Sequence, residues 1–532
     1  MMRSVLILLS LLSGLLLSLP WLGGSGLVLL IAFVPLLYIE NFFTRNKTIY
    51  PLVSFWYYAF GTMLFWNTFT TWWIWHATPA GAVFAIIANA FLMSLLCLLF
   101  HAAHRAKNSS FAAILFVMGW LSFEYLHFNW ELAWPWLTLG NGFANDVKLI
   151  QWYEFTGVFG GSLWVLIVNF LIWQIVKAYL YGLSGAFMSR VVLTLVVIIL
   201  PLAYSVIRYF TYHENEAPVT VAVVQPNIDP YSEKFDEMPY REQYKRLLDL
   251  SAEVANKNID FYVGPETALH HVNQNHAENA EGVRMVHRFL AENDEDAAFI
   301  CGAMTYKYYK HDEIHSATAR YSSDSALIFD AYNSALMLKA NKDVEMYHKS
   351  KLVAGVEQMP YERYLHFLDK LVLNLGGTTG SLATDSTIVV FKHRGIAFGV
   401  PVCYESVFGE YLSRFVREKA ELLFIITNDG WWKNSPGYNQ HFSFARLQAV
   451  SLRRSIARAA NTGISGFINQ RGELISSTRW WVPAVETATL NRNKTLTFYA
   501  KTGDYIARIA LFMFVLMLLN LFVVYLRGKT NR

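Results

Sequence analysis

Residues 396–406, IAFGVPVCYES, run as a short apolar stretch that stops on Cys403, and FYVGPETAL (261–269) stops on Glu266 in the same manner. Short apolar runs bounded by Gly and Pro read as buried strands. Working outward, the same reading predicts strands at 219–224 (VTVAVV), 260–263, 297–301, 326–329, 386–391, 396–400 and 421–427. Apolar residues return between them at helical spacing, as at Tyr244, Leu247, Leu248 and Val254, or at Phe444, Leu447, Val450 and Leu452. Strands alternating with helices and mixed with hairpins predict a layered α/β domain over residues 215–503.

The flanks are of another kind. Of the 532 residues, 54% are apolar and only 16% charged, against roughly 25% charged in an average soluble domain. Mean hydropathy is +0.28, which excludes a disordered chain and a purely soluble one. Apolar runs at 4–20, 22–39, 52–76, 80–103, 111–128, 158–181, 190–211 and 506–526 approach the ~20 residues a bilayer-crossing helix needs. The expected organisation is therefore a seven-span domain over 1–214, an extramembrane domain over 215–503, and a last span with its tail over 504–532. The first run, behind Arg3, also fits a cleaved signal peptide, although no A-x-A site follows it.

Positive charge collects on alternate ends of the spans: Arg3; Arg45 and Lys47; Arg105 and Lys107; Lys177 and Arg190; Arg527, Lys529 and Arg532, with Lys148 as the main exception. Cytoplasmic loops carry such an excess. Both termini are thus expected in the cytoplasm and the 215–503 domain outside. A net charge of +4 without basic blocks gives no sign of a nucleic-acid partner. Three cysteines, Cys97, Cys301 and Cys403, without CxxC spacing form no disulfide framework.

Glu266, Lys349 (EMYHKSKLV) and Cys403 stand where apolar strands end, held by a sheet and reachable from a cleft. Singly, each has a plain structural reading: a turn, a surface lysine, a small core residue. Together they form a coherent set. A thiol with an ordinary pKa of about 8.5 is a poor nucleophile until its proton is taken. Glu266 suits that base, and Lys349 suits stabilisation of the thiolate and of a tetrahedral oxyanion.

In these contexts (GPETAL, Y-x-K-x-x-LV and CYE) the three resemble the Glu-Lys-Cys triad of the nitrilase, or carbon-nitrogen hydrolase, superfamily. With the spans, the chain as a whole is similar to the apolipoprotein N-acyltransferase family. VVQPN (223–227), YNSALML (332–338), TNDGWW (427–432), QHFSFARLQAVSLRRSIARAANTGIS (440–465), WPWLTLGN (134–141), Gln151 and GVFGGSLWVLIVN (157–169) carry that resemblance further. It implies a polytopic α-helical membrane domain joined to a nitrilase-like α-β-β-α sandwich. It also implies Glu266 as general base, Lys349 as oxyanion-stabilising group, Cys403 as acyl-accepting nucleophile, Glu357 as a supporting glutamate, and Tyr404 and Glu405 as neighbours of the nucleophile. Two departures stand out: LVAGVE (352–357) where many members read LVPFGE, and Phe235 where many have tryptophan.

The activity so implied is ping-pong acyl transfer from the sn-1 position of a phospholipid, usually phosphatidylethanolamine. The acyl group passes through a Cys403 thioester to the α-amine of a diacylglyceryl-cysteine at an apolipoprotein N-terminus. The implied setting is the cell inner membrane with the catalytic domain periplasmic; membrane lipids surround a chain expected to be a monomer that needs no cofactor or metal. Aromatic loops at the cleft mouth are expected to meet lipid, with Phe235, Trp431 and Trp432, and also Trp480 and Trp481, as candidates. A membrane-tethered amidase that gives the acyl group to water uses the same acyl-enzyme and remains the alternative. A transporter or sensor is disfavoured by spans nearly free of charge and by short cytoplasmic segments. Glu124, inside the fifth run, reads as a functional group or as one paired with a neighbouring span. His270, His271 and His276 read as a solvated loop without metal spacing. Packing accounts for Cys97 and Cys301, and the GGSG at 23–26 reads as a turn.

Overall fold

Every residue from Val219 to Gln225 except Thr220 is buried, which is the mark of a strand covered on both faces. The computed structural model describes residues 2–182, 185, 187–234, 238–310, 312–322, 327–340, 343–361 and 381–530. Two compact units divide the chain: Met1–Thr211 with Thr502–Arg532, and Tyr212–Lys501.

The second unit holds two sheets. Its strands are β1 (Pro218–Gln225), β2 (Phe261–Val263), β3 (Leu269–Asn273), β4 (Ala298–Tyr309), β5 (Arg320–Tyr321), β6 (Ile328–Lys339), β7 (Val344–His348), β8 (Val390–His393), β9 (Ile396–Gly399), β10 (Leu422–Thr427), β11 (Ser455–Ala460), β12 (Gly466–Ile468), β13 (Leu474–Ser477) and β14 (Ala484–Asn491). The first sheet runs β14-β1-β2-β4-β6-β5, with β3 on β4 and β7 on β6; the second runs β13-β12-β11-β10-β9-β8. The pairs β1/β2 and β2/β4 are parallel, as are β9/β10 and β10/β11.

Alternate side chains fill two interfaces. Ala222, Val224, Tyr262, Phe299 and Cys301 pack with Tyr244, Leu247, Val283, Val286 and Leu290 of the helices Tyr240–Ala252 and Glu281–Asn293. Phe261, on the opposite face, meets Phe398 and Phe424 of the second sheet at 4.9 and 5.3 Å between ring centroids. The helices Gly409–Arg417 and Pro436–Leu452 belong to the second sheet's half, the latter buried along most of its length. The result is the expected α-β-β-α sandwich.

Near its two ends the unit is clasped. Glu214 accepts from Gln470 N at 2.8 Å and from Asn491 Nδ2 at 3.1 Å. The Tyr212 hydroxyl donates to Gln470 Oε1 at 2.6 Å, and the Arg453 guanidinium lies 4.4 Å from the centre of the Tyr212 ring.

Three expectations need correction. The strand expected at 386–391 shrinks to Val390–His393, because its partner β9 ends at Gly399, paired with Val390. The strand expected at 326–329 is longer, Ile328–Lys339, since β4 supplies a partner along its whole length; residue 326 lies outside the described residues. His270 and His271 are not on a solvated loop but on β3, with the His270 ring stacked 4.2 Å from Tyr240. Burial, with Lys234 and His271 nearby, pushes His270 down to about 3. His276 sits in the short helical turn Gln274–Asn279.

In the helical unit, seven of the described helices are long and apolar enough to cross a membrane. The chain is a membrane protein. The run expected at 52–76 forms the helix Val53–Thr71, which falls outside those seven because threonines, an asparagine and several aromatic residues dilute its aliphatic content. Glu124 has structural partners: it accepts from Trp120 Nε1 at 3.0 Å and from Leu139 N at 2.8 Å. Close packing explains a glycine in the WPWLTLGN segment, since a Cβ on Gly140 would lie 1.9 Å from Val158 O.

Candidate active site

The three residues singled out by their positions all follow strand ends. Beyond β2, Gly264 N donates to Ile300 O at 2.7 Å and Gly302 N to Pro265 O at 2.9 Å, which pins the Gly-Pro-Glu turn to β4. Gly302 admits that turn by lacking a side chain: a Cβ there would stand 2.4 Å from Thr267 N and 2.6 Å from Glu266 Cα. Lys349 follows β7 and is tied to β6 by its N–H on Asn333 O at 2.8 Å. Cys403 follows β9, with Val402 bridged to Ile426 of β10. Its φ of 50° is a left-handed conformation that costs a non-glycine residue free energy and recurs at functional sites.

Glu266 and Lys349 are both buried and paired, Lys349 Nζ to Glu266 Oε1 at 3.2 Å. Lys349 also donates to Glu357 Oε1 at 2.8 Å. Asn333 Nδ2 bridges the two carboxylates, at 2.7 Å from Glu266 Oε1 and 3.0 Å from Glu357 Oε1. Both donors thus reach one oxygen of Glu266, and its Oε2 takes no hydrogen bond among the described residues. Glu357 Oε2 is anchored by Val353 N at 2.8 Å, so the LVAGVE loop keeps its glutamate in register.

Burial alone would lower the Lys349 pKa, but Glu266, Glu357 and Cys403 outweigh it and hold the ammonium well above its usual range. The half-buried Cys403 thiol is driven up, first by burial and then by the Glu266 and Asp429 carboxylates, with Lys349 and a Thr427 hydrogen bond opposing. Cys403 therefore rests as a thiol within the field of both partners. Its proton must be taken as it reacts, which is the task of a general base.

Buried polar groups brace the turn. Glu405, fully buried, accepts from Val402 N at 2.8 Å, Ser350 N at 2.6 Å and the Tyr347 hydroxyl at 2.7 Å, tying the Lys349 and Cys403 segments together. Its carboxyl is raised by burial. Tyr404 is buried, with an edge-on contact to Phe408 at 5.1 Å. Trp432 lies edge-on to His441 and Trp431 edge-on to Tyr231, at 5.5 and 5.4 Å. Phe235 lies outside the described residues.

Other polar groups at the site carry no role in the sequence reading. Lys234 donates to Glu266 O at 3.1 Å and Thr267 Oγ1 at 2.6 Å, and burial lowers it to about 8 despite the nearby Glu266. Asp429 pairs with Arg458 and with His441 Nδ1 at 3.0 Å, while accepting from Thr427 Oγ1 at 2.7 Å. Burial would raise its carboxyl, but Arg458 and His441 hold it well below the usual range. His441 Nε2 in turn reaches Cys403 O at 3.3 Å. Asn333, Asp429, His441 and Arg458 all stood inside quoted motif strings. Only Asn333 and Arg458, polar residues inside the strands β6 and β11, carried a local signal.

The family model for carbon-nitrogen hydrolases matches residues 220–498. The chain belongs to the carbon-nitrogen hydrolase family. Residues 13–171 also match the apolipoprotein N-acyltransferase N-terminal domain, so this carbon-nitrogen hydrolase carries that family's helical part as well. It is similar to the apolipoprotein N-acyltransferase of Chlorobaculum tepidum, with 29% identity over 85% of this chain and 84% of the relative. For that of Geobacter metallireducens the identity is 28% over 74% and 71%. Among solved structures, an amidase from Nesterenkonia sp. aligns with a TM-score of 0.35 and 12% identity, covering 52% of this chain and 91% of that one.

Proposed function

We propose that this chain is an acyltransferase that moves a fatty acyl group from the sn-1 ester of a phospholipid to the α-amine of a diacylglyceryl-cysteine at an apolipoprotein N-terminus. One observation carries the reading: a half-buried thiol beside a Lys349–Glu266 pair whose carboxylate keeps one oxygen without a hydrogen bond. The Cys403 sulfur attacks the ester carbonyl as Glu266 takes the thiol proton, and the Lys349 ammonium stabilises the oxyanion. Collapse breaks the ester C–O bond; the leaving lysophospholipid oxygen takes the proton from Glu266, and a thioester remains. The acceptor amine then attacks the thioester, yields a proton to Glu266, and forms the amide as the C–S bond breaks. The thiolate regains its proton from Glu266.

Acyl chains leave a bilayer at a cost of about 0.8 kcal/mol per CH₂, which is reason for the catalytic unit to be joined to apolar helices. The alternation of Arg and Lys along the chain supports cytoplasmic termini and a periplasmic catalytic unit at the inner membrane. One chain, acting as a monomer, supplies every group in these steps.

The test is intact-protein mass spectrometry after incubation with phospholipid. Wild type should gain one acyl mass on Cys403, E266Q should not, and a diacylglyceryl-cysteine peptide should discharge the adduct and gain that mass. Equal labelling of both proteins removes Glu266 from its role. Discharge into water, with none into peptide, identifies an amidase instead.

A further inference from the structure

The turn that carries Glu266 is held in a conformation it would not keep alone. Thr267, the next residue, stands at φ 49°, a left-handed backbone that a β-branched side chain rarely takes and that persists only where its surroundings enforce it. Two neighbours enforce it here. Gly302 lets β4 approach so closely that a Cβ there would stand 2.4 Å from Thr267 N. Lys234, 2% exposed, donates from Nζ to Thr267 Oγ1 at 2.6 Å and to Glu266 O at 3.1 Å.

Lys234 is itself anchored. Its backbone N–H donates to Asp229 O at 2.9 Å, and its carbonyl accepts Gln243 Nε2, from the helix Tyr240–Ala252, at 2.8 Å. Upstream, Asn227 N donates to Asn461 O at 2.8 Å, Ile228 N to Asn461 Oδ1 at 3.1 Å, and Asn461 Nδ2 to Ile228 O at 2.7 Å. Asn461 N donates in turn to Thr427 O at 3.1 Å. The clamp on the base is thus fastened to the end of β10, the strand whose Ile426 bridges to Val402 beside the nucleophile.

A neutral amide would hold a carbonyl and a hydroxyl at less cost, because a buried ammonium gives up its hydration. Burial pushes Lys234 down to about 8, against the pull of the Glu266 carboxylate. Buried charges kept in spite of that cost gather at functional sites. We propose that Lys234 is a positioning residue for the general base: it clamps the Glu266–Thr267 turn and so holds the Glu266 carboxylate where the proton is exchanged in both half-reactions. The proposal rests on the acyltransfer reading above, in which Glu266 takes and returns a proton twice.

The test measures Cys403 acylation by the full chain in mixed micelles of detergent and phosphatidylethanolamine, read by mass spectrometry of quenched time points. K234M, of similar length and without charge, should lower kcat about 10–10²-fold, the scale of a lost charge-assisted contact, with KM kept. In the E266Q background K234M should cost nothing further, because a group that acts only through the base has nothing left to act on. A K234M protein at full rate overturns the proposal. So does a change confined to KM, which would put Lys234 on the lipid, and so does an E266Q/K234M protein slowed by the whole K234M factor, which would make the effect one of general structure. Should K234M fail to fold, T267V removes only the hydroxyl that the ammonium holds: it should slow acylation about fivefold where T267S does not, and an unchanged T267V rate overturns the proposal. In each overturning case wild type still becomes acylated and the acyltransfer reading stands; a wild type that never acylates removes both.

Discussion

The Glu266–Lys349–Glu357 cluster and the Asp429–Arg458–His441 cluster both set carboxylates against cations beside Cys403, and they differ in what each leaves unsatisfied. Asp429 uses both oxygens, Oδ1 for Thr427 and His441 and Oδ2 for Arg458, and is sealed from solvent. Glu266 receives both its donors on Oε1. A carboxylate with donors on both oxygens is fixed in place, whereas one with a donor-free oxygen can take a proton there. On the proposed mechanism the first cluster is the reactive one, and the second holds the strained turn of Cys403.

The sharpest way to break this contrast is E266Q. It should lower the acylation rate by about 10²–10⁴-fold, the usual range for a lost general base, with little change in thermal unfolding; mass spectrometry of quenched time points reads the rate. D429N should do the reverse in kind, leaving Arg458 as an uncompensated buried charge at a cost of about 3–5 kcal/mol, seen as a lowered unfolding midpoint of the full chain in detergent. The sign of its pH dependence follows. The folded-state pKa of Asp429 lies below the ordinary carboxylate value, so its contribution is complete above about pH 4, the unfolded value, and is lost as pH falls through the folded value. Unfolding midpoints measured from pH 7 downward should fall more steeply for wild type than for D429N.

A smaller effect is expected from G302A, where the new methyl meets the Glu266 backbone. Overpacking of this kind costs about 1–3 kcal/mol, and here it should also slow acylation by displacing the base, which a neighbouring core substitution such as A303G should not. The smallest is E357Q. Lys349 keeps Glu266, so one charge-assisted hydrogen bond is weakened and the rate should fall about tenfold. A fall as large as that of E266Q would put Glu357 in the proton path.

These contrasts bear on how much of the molecule was legible beforehand. The strands ending in Glu266 and Cys403 were visible because a strand covered on both faces is a run of apolar residues, and so were the long lipid-facing helices. Strands β11 to β14 were not: Ser455–Ala460 contains Arg458 and Ala484–Asn491 contains Glu486, so pairing partners rather than composition place them. Asn333 and Asp429 escaped for a related reason. Their value lies in which groups they touch across 67 and 29 residues of chain, Glu266 and Arg458, and no local pattern encodes such distances. Of the two β3 histidines His271 is exposed, but His270 is buried because Tyr240 and Tyr244 supply the ring faces that cover it.

The clasp at the ends of the catalytic unit has a mechanical meaning. Strand β1 enters and β14 leaves side by side, from Pro218 opposite Asn491 to Gln225 opposite Ala484. Tension drawing those two ends apart would load the ladder one rung at a time, the direction in which a sheet resists least. Glu214, Tyr212 and Gln470 meet at the rung that would open first, where a few hydrogen bonds act as a rivet against peeling.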